Sequence, residues 1–321
     1  MDLDPRWNFG VGISVPFGLK TEYDASWLGR FQGISSEIKT LNVNPSVSYK
    51  FSDAASVGFG INYQRGEIDL VTAVNYSAAA LGALGPNLEG RNTTNVDGDG
   101  WGFNIGGLFN VTPATRIGVH YRSAIDYELD GTTSFSNVPA SLAANPQVSA
   151  GGVKLDVETP ASLAFSVAHR LSDRLQLLGD LTWWRWSKIQ QLPLLRTSGA
   201  ASGSAVSTLV FNFDDTWRAS VGANYKIDGG WLVRLGAAYD QTPVPNAESR
   251  TVRLPDSDRL WLSAGAKYQV SRNGALDFGY TFVKARDADI RNDQRSAGRG
   301  LVDGTYEAHV HVLGIQYQHS F

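Results

Sequence analysis

The residues of this 321-residue chain that could do chemistry fall into four clusters. Val96 to Gly100, read as VDGDG, offers Asp97 and Asp99 as potential oxygen ligands for calcium, but no bidentate Glu follows at the distance such a loop needs. The stretch reads instead as a turn re-entering a strand at Trp101. His309 and His311 would share one face of a strand, where two imidazoles could bind a metal if a third ligand joined them; none is evident. The pair is expected near an outer rim. Arg116, His120, Arg122, Asp126, Glu128 and Asp130 would fall on one face of a single strand, pointing into a lumen as a network of paired or hydrated charges. Asp256, Asp258 and Arg259 crowd the start of another strand, where an ion pair could tie down a loop base. No nucleophile completes any of these sets. Ser123 does not share a face with His120, and no G-x-S-x-G elbow occurs. Cysteine is absent, so disulfides and thiolate metal sites are excluded. The chain is not expected to be an enzyme, and no metal or cofactor is expected.

Strands must position these groups. In RWNFGVGISVPFGLKTEY, Trp7, Phe9, Val11, Ile13, Val15, Phe17 and Leu19 are apolar, while Asn8, Gly10, Gly12, Ser14, Pro16 and Gly18 between them are small or polar. Strict alternation predicts a strand with one dry face and one wet face. The pattern recurs from Leu41 to Phe51, Val57 to Tyr63, Trp101 to Val111, Ile117 to Leu129, Val153 to Leu171, Leu175 to Trp183, Phe211 to Ile227, Trp231 to Tyr239, Leu260 to Val270, Leu276 to Phe282, and through the last residues to Phe321. That makes about twelve strands, longer than the usual five or six residues. Short turns fall at 52–54, 112–114, 171–173, 228–230 and 271–274, alternating with longer segments at about 20–37, 70–99, 131–152, 188–209, 241–257 and 285–304. Both termini lie at the turn end. The expectation is an all-β, antiparallel, up-and-down transmembrane β-barrel, a single domain over 1–321.

Solvent polarity separates this reading from a soluble barrel. The Gly/Ser/Asn face is hydrated yet carries little charge for an outer surface, and the apolar face ends in aromatics: Trp7, Phe51, Trp101, Tyr127, Tyr225, Trp231 and Tyr268. Such belts mark the two interfaces of a membrane barrel. No apolar run is long enough for a transmembrane helix. A net charge of −3 gives no basic patch for nucleic acid. Terminal Phe321, with Tyr317, Ile315 and Leu313 on its face, looks like the signal read by the barrel assembly machinery. The segment 70–90 is apolar for a connection: Leu70, Val71, Val74, Leu81, Leu84 and Leu88 recur at near-helical spacing, predicting a short helix near 70–88. With Phe135, Val138, Pro139 and Leu142 of the next long loop, it forms either a capture patch for a greasy ligand or a lid of two packed loops.

GISVPFGLKTEY, TLNVNPSVSYKFSD, SVGFGINY, PVPNAESRTVRLPDSDRLWLSAGAKYQV and LGIQYQHSF resemble the FadL family of bacterial outer-membrane transporters of long-chain fatty acids and related hydrophobic compounds. The resemblance runs the length of the chain, and PDSDRLWLSAG is its most specific piece. It implies a barrel of about fourteen strands with an N-terminal plug; the plug and the first two strands have no counterpart before Trp7. It also implies passive uptake, with capture between extracellular loops and lateral release through a kinked strand. Pro16, Phe17 and Gly18 match that kink, which accounts for a proline and a glycine inside the best strand signal. The family's paired basic residues fall near Leu70 and Leu209, so the cargo is either less polar than a fatty acid or met by other lumen cations, Arg122, Arg218 or Arg234. The implied partners are outer-membrane lipid and lipopolysaccharide around a monomer in the bacterial outer membrane. A general diffusion porin or a loop-mediated adhesin is the alternative.

Overall fold

In the computed structural model, which describes residues 5–79 and 88–320, the chain is almost entirely strand. β1 (Trp7–Ser14) and β2 (Gly18–Glu22) are halves of one crossing, followed by unbroken β3 (Ser35–Lys50), β4 (Ala55–Asn75) and β5 (Glu89–Thr112). Four crossings are interrupted: β6 (Thr115–Arg122) with β7 (Ile125–Ser136), β8 (Gly151–Thr159) with β9 (Ser162–Arg170), β10 (Leu175–Trp184) with β11 (Gln191–Arg196), and β12 (Ala205–Val210) with β13 (Thr216–Ile227). β14 (Trp231–Asp240), β15 (Arg259–Gln269) and β16 (Gly274–Ala285) are continuous. β17 (Ala288–Asp293) and β18 (Leu301–Tyr306) form a separate hairpin before β19 (His309–His319). Each crossing pairs antiparallel with the next, which gives the predicted meander of twelve. The predicted short turns are present, and Gly229 and Gly230 supply φ of +81° and +84° for one of them. β1 pairs along β3 and β19 along β16; among the described residues no register joins β1 to β19, and both strands are exposed throughout.

The predicted dry and wet faces lie as expected over the first part of the wall. Phe9, Val11, Ile13, Phe59, Ile61, Phe103 and Ile105 are exposed, whereas Gly60, Asn62 and Gln64 on alternate positions are buried inside. Aromatic belts bound this band. Trp7–Tyr49 and Trp231–Tyr268 pack with ring centroids 4.7 and 4.6 Å apart at the turn end, and Tyr63–Trp101 at 4.9 Å at the loop end. From Trp231 to Tyr239 the strand rises ~3.3 Å per residue, which with a tilt of ~40° gives ~20 Å, close to the ~25 Å apolar band of membrane barrels.

Beyond the loop-end belt the polarity inverts. Arg65, Glu67, Asp97 and Asp99 face out, while Ile68, Leu70, Val96, Ile125, Tyr127, Leu129, Val153, Leu155 and Leu194 form an interior core. The wall is a membrane barrel below the belt and a soluble barrel above it. Several expectations change for this reason. Tyr127 is not in a belt: it is buried, and its hydroxyl donates to Gln64 Oε1 at 2.6 Å. Asp126, Glu128 and Asp130 do not line the lumen with Arg122, because the interruption at Ser123 and Ala124 shifts the alternation and turns them to solvent. VDGDG is not a turn but the middle of β5, since strands outside lipid are marked by charge rather than grease. The expected helix near 70–88 shrinks to Tyr76–Ala79 among the described residues, because Leu70, Val71 and Val74 continue β4; Leu81 and Leu84 lie outside the described residues, as does Phe321.

Gly98 and Gly100 have a packing role. A Cβ on either would sit 2.2 Å from the Glu128 carbonyl oxygen or 2.4 Å from that of Asp126, where β7 presses inward on β5. Gly98→Ala and Gly100→Ala are expected to cost about 1–3 kcal/mol of overpacking each. Both should lower the temperature at which the folded band is lost in heat-modifiability gels. Gly314→Ala, with nothing within 4 Å of its Cβ, should not.

Candidate functional site

The break in the first crossing is built on β3. Ser14 pairs with Asn42 and Gly18 with Lys39, so Val15, Pro16 and Phe17 face only Leu41 and Thr40. One residue is in excess and the ladder is interrupted. Pro16 has no N–H to leave unpaired. Phe17 does, and the Thr40 hydroxyl takes both its groups: Phe17 N–H donates to Thr40 Oγ1 at 3.0 Å, and Thr40 Oγ1 donates to the Phe17 carbonyl at 2.7 Å. Pro16 therefore marks a break inside a strand that resumes as β2, and not the strand's end. Val15 is 67% exposed on the outer face. Phe17 turns inward and crosses the lumen to Trp184 and Trp186, with ring centroids 6.3 and 6.1 Å away.

Those rings are one end of a chain of aromatics. Trp186 meets Phe213 at 6.0 Å, and Phe213 meets Phe211 at 5.0 Å. Ile189 and Val244 complete the cluster around Phe213. Phe211 in turn lines a cavity of about 870 Å³ at the loop end, shared with Val74, Phe135, Val148, Leu209 and Val252. The volume lies within the ~300–1,000 Å³ of small-molecule sites. One side of the cavity is closed by a cap in which Tyr23 stacks on Trp27 at 4.1 Å and donates to the Val252 carbonyl at 2.6 Å. Val252, Ile290 and Val302 pack beneath, and burial pushes the Tyr23 phenol well above its usual range. Below the aromatics the lumen is polar. Asn44 and Asn62 both donate to Asn104 Oδ1, at 2.8 and 2.9 Å, and Arg122 approaches Asn62 at 3.5 Å.

The expected capture residues are only partly brought together. Val74 lines the cavity; Leu70 lies in the core below it, and Val71 pairs with Ser35 in the wall. Leu88 is exposed beside Ser77, whose hydroxyl accepts its N–H at 3.2 Å. Val138 and Leu142 sit at the 3-10 turn Ala140–Leu142 and are not among the cavity's lining residues, where Phe135 and Val148 stand instead. The sequence gives Thr40, Trp186, Phe211 and Phe213 no site role: Thr40 is one of many small polar residues on a wet strand face, Trp186 lies between β10 and β11, and Phe211 and Phe213 look like the start of a strand that in fact begins at Thr216.

Residues 2–321 match the family model described as outer membrane protein transport protein (OMPP1/FadL/TodX). The chain belongs to this family. It is 27% identical to outer membrane protein P1 of Haemophilus influenzae, over 99% of this chain and 73% of that protein, and 27% identical to the long-chain fatty acid transport protein of Escherichia coli K12, over 94% and 74%. A crystal structure of a Pseudomonas aeruginosa FadL homologue superposes with a TM-score of 0.90 at 26% identity, covering 99% of this chain and 76% of that one. The OMPP1/FadL/TodX proteins are outer-membrane transporters, which places the long-loop end outside the cell and the short turns in the periplasm.

Within this FadL-like barrel, the three cations expected in the lumen all point inward but stay apart. Arg234 is held by Asp277 at 2.6 Å, Arg218 lies over the Trp261 ring at 5.3 Å, and Arg122 stands at the asparagine floor. PDSDR clamps the base of the 241–258 loop: Asp258 accepts from the Tyr239 hydroxyl at 2.6 Å and Thr242 N–H at 2.9 Å, and Arg259 reaches Asp240 and Asp256 at 3.3 and 3.5 Å. His311 Nδ1 bonds the Tyr280 hydroxyl at 2.8 Å near the outer rim. The decisive local interaction is the Thr40 hydroxyl. Thr40→Val leaves the Phe17 N–H and carbonyl without a partner, a loss of about 1–3 kcal/mol. Amide exchange at residues 14–18 is expected to quicken while exchange along β15 and β16 stays unchanged.

Proposed function

We propose that this protein takes up hydrophobic molecules passively across the outer membrane, without cofactor or energy coupling. A greasy molecule is caught in the extracellular cavity between Val74, Phe135, Val148 and Phe211. It then moves along Phe211, Phe213, Trp186 and Phe17, and leaves sideways into the membrane at the break of Val15, Pro16 and Phe17. The observation that carries this reading is the continuous row of rings from the cavity to the break, each step 5.0 to 6.1 Å between centroids. Apolar contact along that row keeps a hydrocarbon out of water, whereas the straight route down meets the Asn44–Asn62–Asn104 floor, where apolar cargo gains nothing. The E. coli relative's name, long-chain fatty acid transport protein, supports a long-chain cargo.

A diffusion porin would need an open aqueous path. Here the buried core of Ile68, Leu70, Val96 and Leu129 packs inside the barrel above the belt, which favours the selective route.

Pro16→Val with Gly18→Val tests the exit. Restoring one or two ladder hydrogen bonds, worth about 1 kcal/mol each, is expected to slow oleate and toluene uptake about tenfold. Heat modifiability should be unchanged. Uptake at the wild-type rate in a folded variant would contradict lateral release. Low ionic conductance of the wild type in planar bilayers is expected alongside; a steady large conductance would favour a porin.

A further inference from the structure

The connection 137–150, between β7 and β8, supplies Gln147 and Val148 to the lining of the extracellular cavity. It leaves β7 at Asn137, whose φ of +54° turns the chain through the left-handed region. None of its residues is buried. The other long connections at this end each bury at least one side chain: Ile34, Tyr76, Ile189, Ala201, Val252 and Ile290. Among the described residues its backbone–backbone hydrogen bonds only close turns within itself, Leu142 N–H to the Pro139 carbonyl, Ala143 to Ala140, Asn145 to Leu142 and Val148 to Asn145. A segment with so little burial opens at low free-energy cost.

One side chain fastens it. Arg196, at the end of β11, is only 2% exposed. Its Nη1 donates to the Ser149 carbonyl at 2.9 Å and its Nη2 to the Gln147 carbonyl at 2.7 Å. Across the same seam Gln147 Nε2 reaches Ser204 Oγ only at 3.4 Å. The guanidinium also lies 5.7 Å from the Phe135 ring, another wall of the cavity. No carboxylate bears on its charge, and its buried Nε lacks a partner. A buried charge with an unused donor is costly to hold, and both bonds that its fork makes are to a segment free to leave.

We propose that residues 137–150 form a flap over the extracellular cavity, that Arg196 latches it shut, and that hydrophobic cargo enters when the two carbonyls are released. This rests on the uptake reading above and adds an entry step to it. Arg196 is not among the cavity's lining residues, so it is a positioning residue that acts on cargo only through the flap.

The full chain in neutral detergent, loaded with tritiated oleate and chased with unlabelled oleate, reads the flap as a rate. Arg196→Met keeps bulk beside Phe135 and removes both donors. Loading and release should each quicken about tenfold while the amount bound at equilibrium stays at the wild-type level. The chain has no cysteine, so Gln147→Cys with Ser204→Cys can be bridged by a short bifunctional thiosulfonate. Bridging should slow loading and release about tenfold, and reduction should restore them. That comparison is made within one folded protein and stands even where heat modifiability shows Arg196→Met unfolded. Unchanged rates in folded Arg196→Met, a lower amount bound, or exchange at the wild-type rate across the bridge would each overturn the flap and leave the uptake reading standing. Wild-type protein that holds no oleate overturns both.

Discussion

The wall of this protein is governed by one requirement: in lipid, every backbone N–H and C=O must find its partner inside the protein. A sheet meets the requirement by pairing each crossing with the next, and the twelve crossings do so over nearly their whole length. The first crossing is the informative exception. Its ladder stops after Ser14 and resumes at Gly18, with three residues facing two. Proline removes one donor from the account, and a single hydroxyl on Thr40 accepts from and donates to Phe17. At Phe17 the ladder is therefore replaced by side-chain bonds from Thr40. Those bonds can yield without unravelling β3, which pairs with β4 from Ser35 to Val43 on the other side. The free edges of β1 and β19 carry no such substitute among the described residues, and in a membrane they require partners.

The inversion of polarity at the loop-end belt gives the break its meaning. Below the belt apolar side chains face lipid; above it they face inward and build a core. A hydrophobic molecule held in the upper interior is separated from the lipid around the lower wall only by the thickness of the sheet. Phe17 stands at the break, its ring against Trp184 and Trp186 inside and Val15 exposed outside. The lumen underneath, with Asn44, Asn62, Asn104 and Arg122, is polar and offers apolar molecules no comparable contact.

Much of the membrane part was legible in the sequence because lipid imposes a period of two with grease on the outer face. Trp7 to Ile13, Val57 to Tyr63 and Trp231 to Tyr239 lie where alternation put them, and Pro16 and Gly18 signalled the interruption. Legibility ended at the belt. Past Tyr63 and Trp101 the same strands continue, but with Arg65, Glu67, Asp97 and Asp99 outward, so that strand was read as loop and VDGDG as turn. The shift at Ser123 and Ala124 could not be read either, because parity across an interruption depends on how many residues it absorbs. The cavity lining was least legible: Leu70 is spaced like a helix face but lies on a strand, Phe211 and Phe213 alternate like strand residues but precede β13, and Arg253 sits in a connection without any period. Their placement follows from the cap's packing, not from local pattern.

Photocrosslinking reads the route of the cargo directly. A fatty acid carrying a diazirine near its methyl end, bound to the chain in nanodiscs and irradiated, should label Phe211, Phe213, Trp186, Phe17 and Val15, recovered by peptide mass spectrometry. Labels concentrated on Asn44, Asn62, Asn104 and the lower lumen, with Phe17 and Val15 unmodified, would contradict lateral release and the account built on it.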